Sequence, residues 1–594
     1  MRGAKRRSQA SQYSVPAPIQ GIVENDPTST SGPMAAEWVE NFLPTVRGLK
    51  VRGGTQEHAT VAAGCKSLAA YASGASQQLF AVTDSAFYDV TSSATEDEEI
   101  VSGITSGVWS FQQMGTSGGD YLVAVNGVDA AQIFDGSTWT PWNGAAVNQL
   151  DYDALTADFD ISETVTGGTS GAGAPIVGIV RTSATSGTLF LGSVTGGPFQ
   201  DDEAITSASG AADADGANSE ASGLSVTGVS TSDLKHVWLH QNRLFFVKKD
   251  SLSVWYLPAG AVGGTANDIS LAGVFQRGGT VLFGATWSLD SGAGLDDKCV
   301  FVSTEGEVAI YSGTDPSDAS TWSLEGRYDI GRPLSSRGVM RVGGDLLIAT
   351  DDGIVPLSTA LTKDPADLSL AAVTRNIRST WRAEVLRGYA NMQLFKWTNG
   401  EVMLSLFPMA SRALSANLQT AAWAFQTGWN GVCGAELAGN AYVGQSDGVI
   451  KRIDITGADL GAPFVSKVCA AFTHLGDPLT YKMPSMVRGA YFADSPFNAR
   501  YGMAVDYNVE FTSAPPVAST DSDALIWGTS NWGEATWSAD VEAPTTGLTD
   551  YWASVTGAGS ALAPTVQITS GNTDKLAVEL VRIDVIAEGG GRAA

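Results

Sequence analysis

Apolar and polar residues alternate with a period of two through most of this chain, and the alternation is organised in a phrase that recurs. Leu346–Ser358, LLIATDDGIVPLS, sets two apolar runs around Asp351-Asp352-Gly353. An acidic residue or Asn followed by Gly between alternating hydrophobics predicts a β-hairpin. The phrase returns in Leu79–Val90, Tyr121–Gly136, Cys299–Gly313 and Ala441–Asp454, and more loosely in Arg243–Leu257 and Glu401–Phe407. The copies begin about 40 to 56 residues apart, with one gap of about 122 that an insert of about 75 residues would explain. Such a period, with up to four strands per unit, predicts a mainly β chain built on a β-propeller of about six or seven blades. Helical solenoids of similar period need apolar residues at i, i+3, i+4 and i+7, which these segments lack. An array of β-sandwiches with irregular hairpins is the competing architecture.

Four stretches break the rhythm. Val15–His58 reads as an extended arm that docks on the rest, with a short helix predicted over Pro33–Asn41, where Pro33 suits the first turn and Ala35, Trp38, Val39 and Phe42 share a face. Asp151–Val226 carries its own repeat: Phe159-x3-Glu163-x-Val165-Thr166 ending in Ser170-Gly171-Ala172 is echoed by Phe199-x3-Glu203-x-Ile205-Thr206 ending in Ser209-Gly210-Ala211. It holds one basic residue, Arg181, and reads as a small acidic β domain inserted in a blade loop. Asp364–Arg387 is predicted helical, with Val373, Ile377, Trp381 and Val385 on one stripe and Arg375, Arg378 and Arg382 beside it. Those arginines suit ion pairing with an acidic surface of this or a neighbouring subunit, or phosphate contact in a channel. Beyond Val465, further strands and the spaced Trp527, Trp532 and Trp537 form a C-terminal β domain, the rings serving as internal packing or as subunit contacts. The expected division is an arm with a short helix (1–58), first blades (59–150), the acidic insert (151–226), remaining blades with a helix near 364–387 (227–464), and the C-terminal domain (465–594).

Composition narrows the function. The formal net charge is -27, with 62 acidic against 35 basic residues, which argues against a surface that grips nucleic acid. It is equally the charge of a wall past which nucleic acid slides without sticking. No apolar run is long enough to span a membrane. Cys65, Cys299, Cys433 and Cys469 lie far apart without CxxC spacing and read as buried thiols of a protein made in a reducing cytoplasm.

Candidate chemistry is sparse. His236 and His240 on one strand face would stand about 13 Å apart, too far to share a metal. Gly115-Thr116-Ser117-Gly118-Gly119 matches GxSxG without the strand-then-helix setting that a nucleophile elbow requires. Asp213-Ala214-Asp215-Gly216 opens like a calcium loop, but no Glu follows at position twelve. No phosphate-binding loop is present, and the expectation is a protein without catalytic site, metal or cofactor.

Three pieces together resemble a known family. Gly21, Asn25, Ala36, Asn41, Pro44, Arg52 and Gly54 stand in the order found at the start of the tail nozzle (tail tubular protein B-like) proteins of short-tailed bacteriophages. Tyr481–Tyr507 is similar to that family's late strand pair, and the Trp527, Trp532, Trp537 triplet also looks like theirs. The acidic insert has no place in the family pattern. The resemblance implies a structural virion protein, assembled in the host cytoplasm as a hexameric homo-oligomeric ring of the tail. Its implied partners are the head-to-tail adaptor, tail fibres and viral double-stranded DNA in passage. A receptor- or glycan-binding tail appendage is the alternative, suggested by 16 Trp and 15 Tyr, but no heptad or shaft repeat accompanies them.

Overall fold

The computed structural model describes residues 10–24, 32–142, 148–220, 226–288, 297–518 and 547–592, apart from positions 75, 94, 97, 117–118, 161–162, 182, 319, 365–366, 477 and 551. Its centre is a seven-bladed β-propeller. Blades 1 to 4 are four-stranded antiparallel sheets whose innermost strands are Ser67–Ser73, Ser110–Thr116, Leu234–His240 and Val281–Trp287. The innermost strands of blades 5 to 7 are Val339–Val342, Gln393–Trp397 and Cys433–Leu437. Six of the seven recurring phrases are the second and third strands of a blade together with their turn, and Glu401–Phe407 covers a second strand alone.

The apolar runs in those phrases are nearly continuous because each blade is buried on both faces. Successive residues Phe245 and Phe246 are both 0% exposed, yet Phe245 packs toward blade 4 and Phe246 toward blade 2. Every pair of neighbouring blades shares one such core, the last joining blade 7 to blade 1 through Tyr442, Ile450, Leu68 and Leu79. Removing apolar area on both faces is the dominant stabilising term. The ring closes by a strand from the N-terminal side: Thr55–Val61 is the outer strand of blade 7, paired with Val449–Ile453.

Two blades depart from the four-stranded plan. Blade 5 has three strands, and the segment after Pro356 takes the outer position as short helices. The helix expected near 364–387 is broken into Leu368–Ala371, a 3-10 turn at Val373–Ile377 and an α-helix at Arg378–Arg387. The sheet of blade 6 runs on past Trp423–Gln426 through Ala36–Glu40, Phe464–Ala470, Leu562–Ser570 and Ala499–Val505. The C-terminal strands are therefore continuous with the propeller. A second sheet of Phe42–Pro44, Leu49–Val51, Val578–Arg592 and Thr480–Ala493 packs on them, and Ala10–Pro16 pairs with Val578–Arg592.

The helix expected over Pro33–Asn41 does not form, and Ala36–Glu40 is a strand. Its apolar residues fit either period over so short a run. Pairing to Phe464–Ala470, which satisfies the backbone and buries Val39 completely, decides for the strand.

The insert begins at Asn148–Ala157 and closes into a barrel in the order Gly187–Leu191, Gly173–Arg181, Thr164–Gly167, Ala204–Thr206, Ala211–Ala214, Asn148–Ala157 and back to Gly187–Leu191. Its two repeats are related across the Thr166–Thr206 pair. Phe159 and Phe199, and Val165 and Ile205, fill the barrel core as equivalent pairs.

Candidate functional site

Of the arm residues that carry the family resemblance, Asn41, Arg52 and Gly54 meet at one buried joint. Arg52 is fully buried; its guanidinium donates to both carboxylate oxygens of Asp459 at 2.8 and 2.6 Å and lies 3.9 Å over the Phe464 ring. Its Nε donates to the Asn41 side-chain oxygen at 2.9 Å, which also accepts from the Thr427 amide at 3.0 Å. Asn41 sits at φ 58°, where Asn is tolerated better than most residues. Gly21 and Gly54 allow close backbone crossings: a Cβ would stand 2.4 Å from the Trp423 carbonyl oxygen at Gly21 and 2.1 Å from that of Ala458 at Gly54. These residues pin the arm to blade 6 and the C-terminal strands. Asn25 lies outside the described residues, as do Trp527, Trp532 and Trp537.

The three arginines lie on the helical flank of blade 5. Ile377 and Trp381 are buried beneath it, and the Trp381 indole N–H donates to the Thr350 carbonyl at 2.9 Å, anchoring the helix to the turn that ends in Gly353. Arg375 and Arg382 are exposed and Arg378 is half-buried. Among the described residues no ion pair joins any of the three to a carboxylate, whereas Arg387 on the same helix pairs with Glu384. Leu370 and Leu386 are 59% and 87% exposed on the same helical segment. Glu24 of the arm accepts from the Thr380 amide at 3.0 Å and so fixes the helix to the arm. The result is a cationic, partly apolar face that the subunit itself leaves uncovered.

The propeller axis holds a cavity of about 460 Å³, lined by the innermost strands of six blades. Arg337, Arg341, His236, Gln112 and Gln393 supply polar groups together with the hydroxyls of Ser67, Ser110, Thr286 and Ser336, and no carboxylate is among the lining residues. The His236 Nε2–H donates to the Gly284 carbonyl at 3.0 Å, so the neutral ring accepts from the Ser110 hydroxyl at Nδ1, 3.1 Å away. Burial lowers its pKa to about 4. His240 meets the same blade, at the Thr286 hydroxyl 3.1 Å away, and burial likewise brings it to about 4. The two rings are packing groups that bind separate partners. Among the described residues no three His, Cys, Asp or Glu side chains converge on one metal position.

The suspected calcium loop is not a loop, since Asp213 lies inside strand Ala211–Ala214. Ser117 and Gly118 of the GxSxG match lie outside the described residues, and Gly115-Thr116 ends a strand that pairs back through Gly119 in a hairpin. In the insert each repeat's Glu holds the other repeat's turn. Glu163 accepts from the Ser209 amide and hydroxyl at 3.0 and 2.8 Å, and Glu203 accepts from the Thr169 and Ser170 amides at 3.0 and 2.9 Å. Burial would raise the Glu203 carboxyl, but those donors outweigh it and hold it low.

No protein-family model and no curated protein matches the chain. Among solved structures it is similar to Sqt1 of Saccharomyces cerevisiae, at 10% identity and a TM-score of 0.29 over 68% of this chain and 98% of that one. The β-propeller domain of Cps50 (Swd1) from Myceliophteria thermophila matches at 11% identity and a TM-score of 0.30, covering 68% of this chain and all of that one. YCF48 from Cyanidioschyzon merolae matches at 8% identity and a TM-score of 0.26, over 69% and 97%. Values this low say nothing of function.

Proposed function

We propose that this chain is the subunit of a hexameric tail nozzle, a conduit through which viral DNA leaves the capsid below the head-to-tail adaptor, with no enzymatic activity. The observation that carries the reading is the ordered arm, Gly21, Ala36, Asn41, Pro44, Arg52 and Gly54, whose members include the joint between arm, blade 6 and C-terminal strands. The axial cavity of about 460 Å³ is too small for duplex DNA, so the conduit is the space enclosed by the ring of subunits. Six copies carry about six times -27 charges, and a wall short of cations gives phosphates little to bind. The uncovered Arg375, Arg378 and Arg382 face seats against the acidic surface of the adjacent subunit.

Projection images of purified protein or virions along the symmetry axis test this. A six-fold ring with a lumen that admits duplex DNA is expected. A monomer that stays monomeric at high concentration and forms no ring in virions overturns it.

A further inference from the structure

Two of the four cysteines meet at the seam where the propeller closes. Cys65 lies two residues before the first strand of blade 1, Cys433 opens the first strand of blade 7, and both are buried. Their sulfurs are 3.6 Å apart. Gly444, paired with Cys433 across blade 7, makes the room: a Cβ there would stand 2.6 and 2.8 Å from the two sulfurs. Arg337 brackets the pair, donating to the Lys66 carbonyl at 2.9 Å beside one cysteine and to the Val432 carbonyl at 3.5 Å beside the other. Arg337 also lines the axial cavity, as does Ser67, whose carbonyl lies 3.4 Å from the Cys65 sulfur.

We propose that Cys65 and Cys433 are a latent disulfide that locks the closing seam of the propeller when the protein moves from a reducing to an oxidising medium. A disulfide needs about 2.05 Å between sulfurs, so the pair must approach by about 1.5 Å, a shift within reach of side-chain rotation over a glycine. The two thiols are unequal. The hydrogen bond with Cys433, then burial, raises the Cys65 thiol well above its ordinary value. Burial would raise Cys433 too, but the hydrogen bond with Cys65, the Arg337 charge and the Gly444 backbone leave it lowered. A thiolate at Cys433, 3.6 Å from the Cys65 sulfur and with the Arg337 cation beside it, is the attacking group, and Cys65 resolves it.

With a peroxide as oxidant, the Cys433 thiolate attacks one peroxide oxygen, the O–O bond breaks and hydroxide leaves. Hydroxide takes the Cys65 proton as water, and the Cys65 sulfur attacks the sulfenic sulfur, expelling its oxygen as a second water once protonated. Two thiols and one hydrogen peroxide give one disulfide and two waters, and the two electrons pass from sulfur to peroxide. The link would tie together positions on opposite ends of the propeller's chain path, restricting the unfolded ensemble and slowing release of the outer strand of blade 7. It requires nothing of the ring or its cargo.

The test uses the full-length protein, reduced and then exposed to hydrogen peroxide, with unreacted thiols alkylated after unfolding. The expected result is two alkylated cysteines, Cys299 and Cys469, a mass lower by two hydrogens before alkylation, and a non-reduced peptide joining Cys65 to Cys433. Unfolding in guanidinium should slow by about tenfold or more relative to the reduced protein. C65S and C433S should each abolish the linked peptide and the slowing. Should either variant fail to fold, the wild-type mass and peptide readouts decide alone. Four alkylated cysteines after peroxide, or oxygen added to sulfur without a link, overturns the proposal.

Discussion

At the scale of single residues, His236 and His240 make a stability sensor by being buried. Both have folded-state pKa values near 4, against about 6.5 when unfolded. The unfolded chain therefore takes up protons in a range where the folded chain does not, and stability is lost as pH falls from about 6.5 toward 4. At pH 5 the loss is about 2 kcal/mol for each histidine relative to pH 7. Guanidinium unfolding of the wild type should show this fall between pH 7 and 5. The double variant His236→Gln, His240→Gln should show less of it, and an identical fall in both proteins would rule the pair out as its source. The Arg52–Asp459 contact is a different residue-scale case, because a buried guanidinium would cost several kcal/mol without its partner.

At the scale of elements, the inserted barrel is a self-contained unit. Its core draws on its own residues, its repeated Glu–turn contacts are reciprocal, and its ends meet where Asn148 pairs with Glu220. Ends this close allow a short linker to replace residues 148–220 without opening blade 2 or blade 3. The excised protein should keep its β circular dichroism and a cooperative transition, while the barrel alone should fold as a small domain. Aggregation of the excised protein would show that the barrel supports its neighbouring blades. In blade 5, by contrast, the helices replace the outer strand and their buried Ile377 and Trp381 complete the core between blades 5 and 6. That segment is part of the propeller and cannot be removed in the same way.

At the scale of the whole molecule, the question is where the strongly acidic surface meets cations. Combining Arg375→Glu, Arg378→Glu and Arg382→Glu should leave the subunit folded, since none of the three has an ion-pair partner among the described residues. If the subunits form the proposed ring, the same change should shift it toward monomers in sedimentation at physiological salt. Rings that persist at wild-type concentration would place the subunit contact elsewhere.

How much of this was legible in the chain follows from the range of the interactions. The turns at Gly127, Gly306 and Gly448, with φ of 76°, 84° and 93°, are local, and so the hairpins and the propeller could be read from spacing alone. The repeat in the insert was legible for the same reason, although closure into a barrel was not. The strand at Ala36–Glu40 was misread as a helix because its partner lies more than four hundred residues away. Arg52 with Asp459, and Cys65 with Cys433, left no trace in spacing or composition. Sequence by itself determined the repeating unit, since alternation, turn residues and apolar runs act within a few residues of each other. Only the tertiary structure decided how the ring closes, where the arm locks and which cysteines meet, because those contacts depend on chain ends that burial brings together and no local pattern encodes.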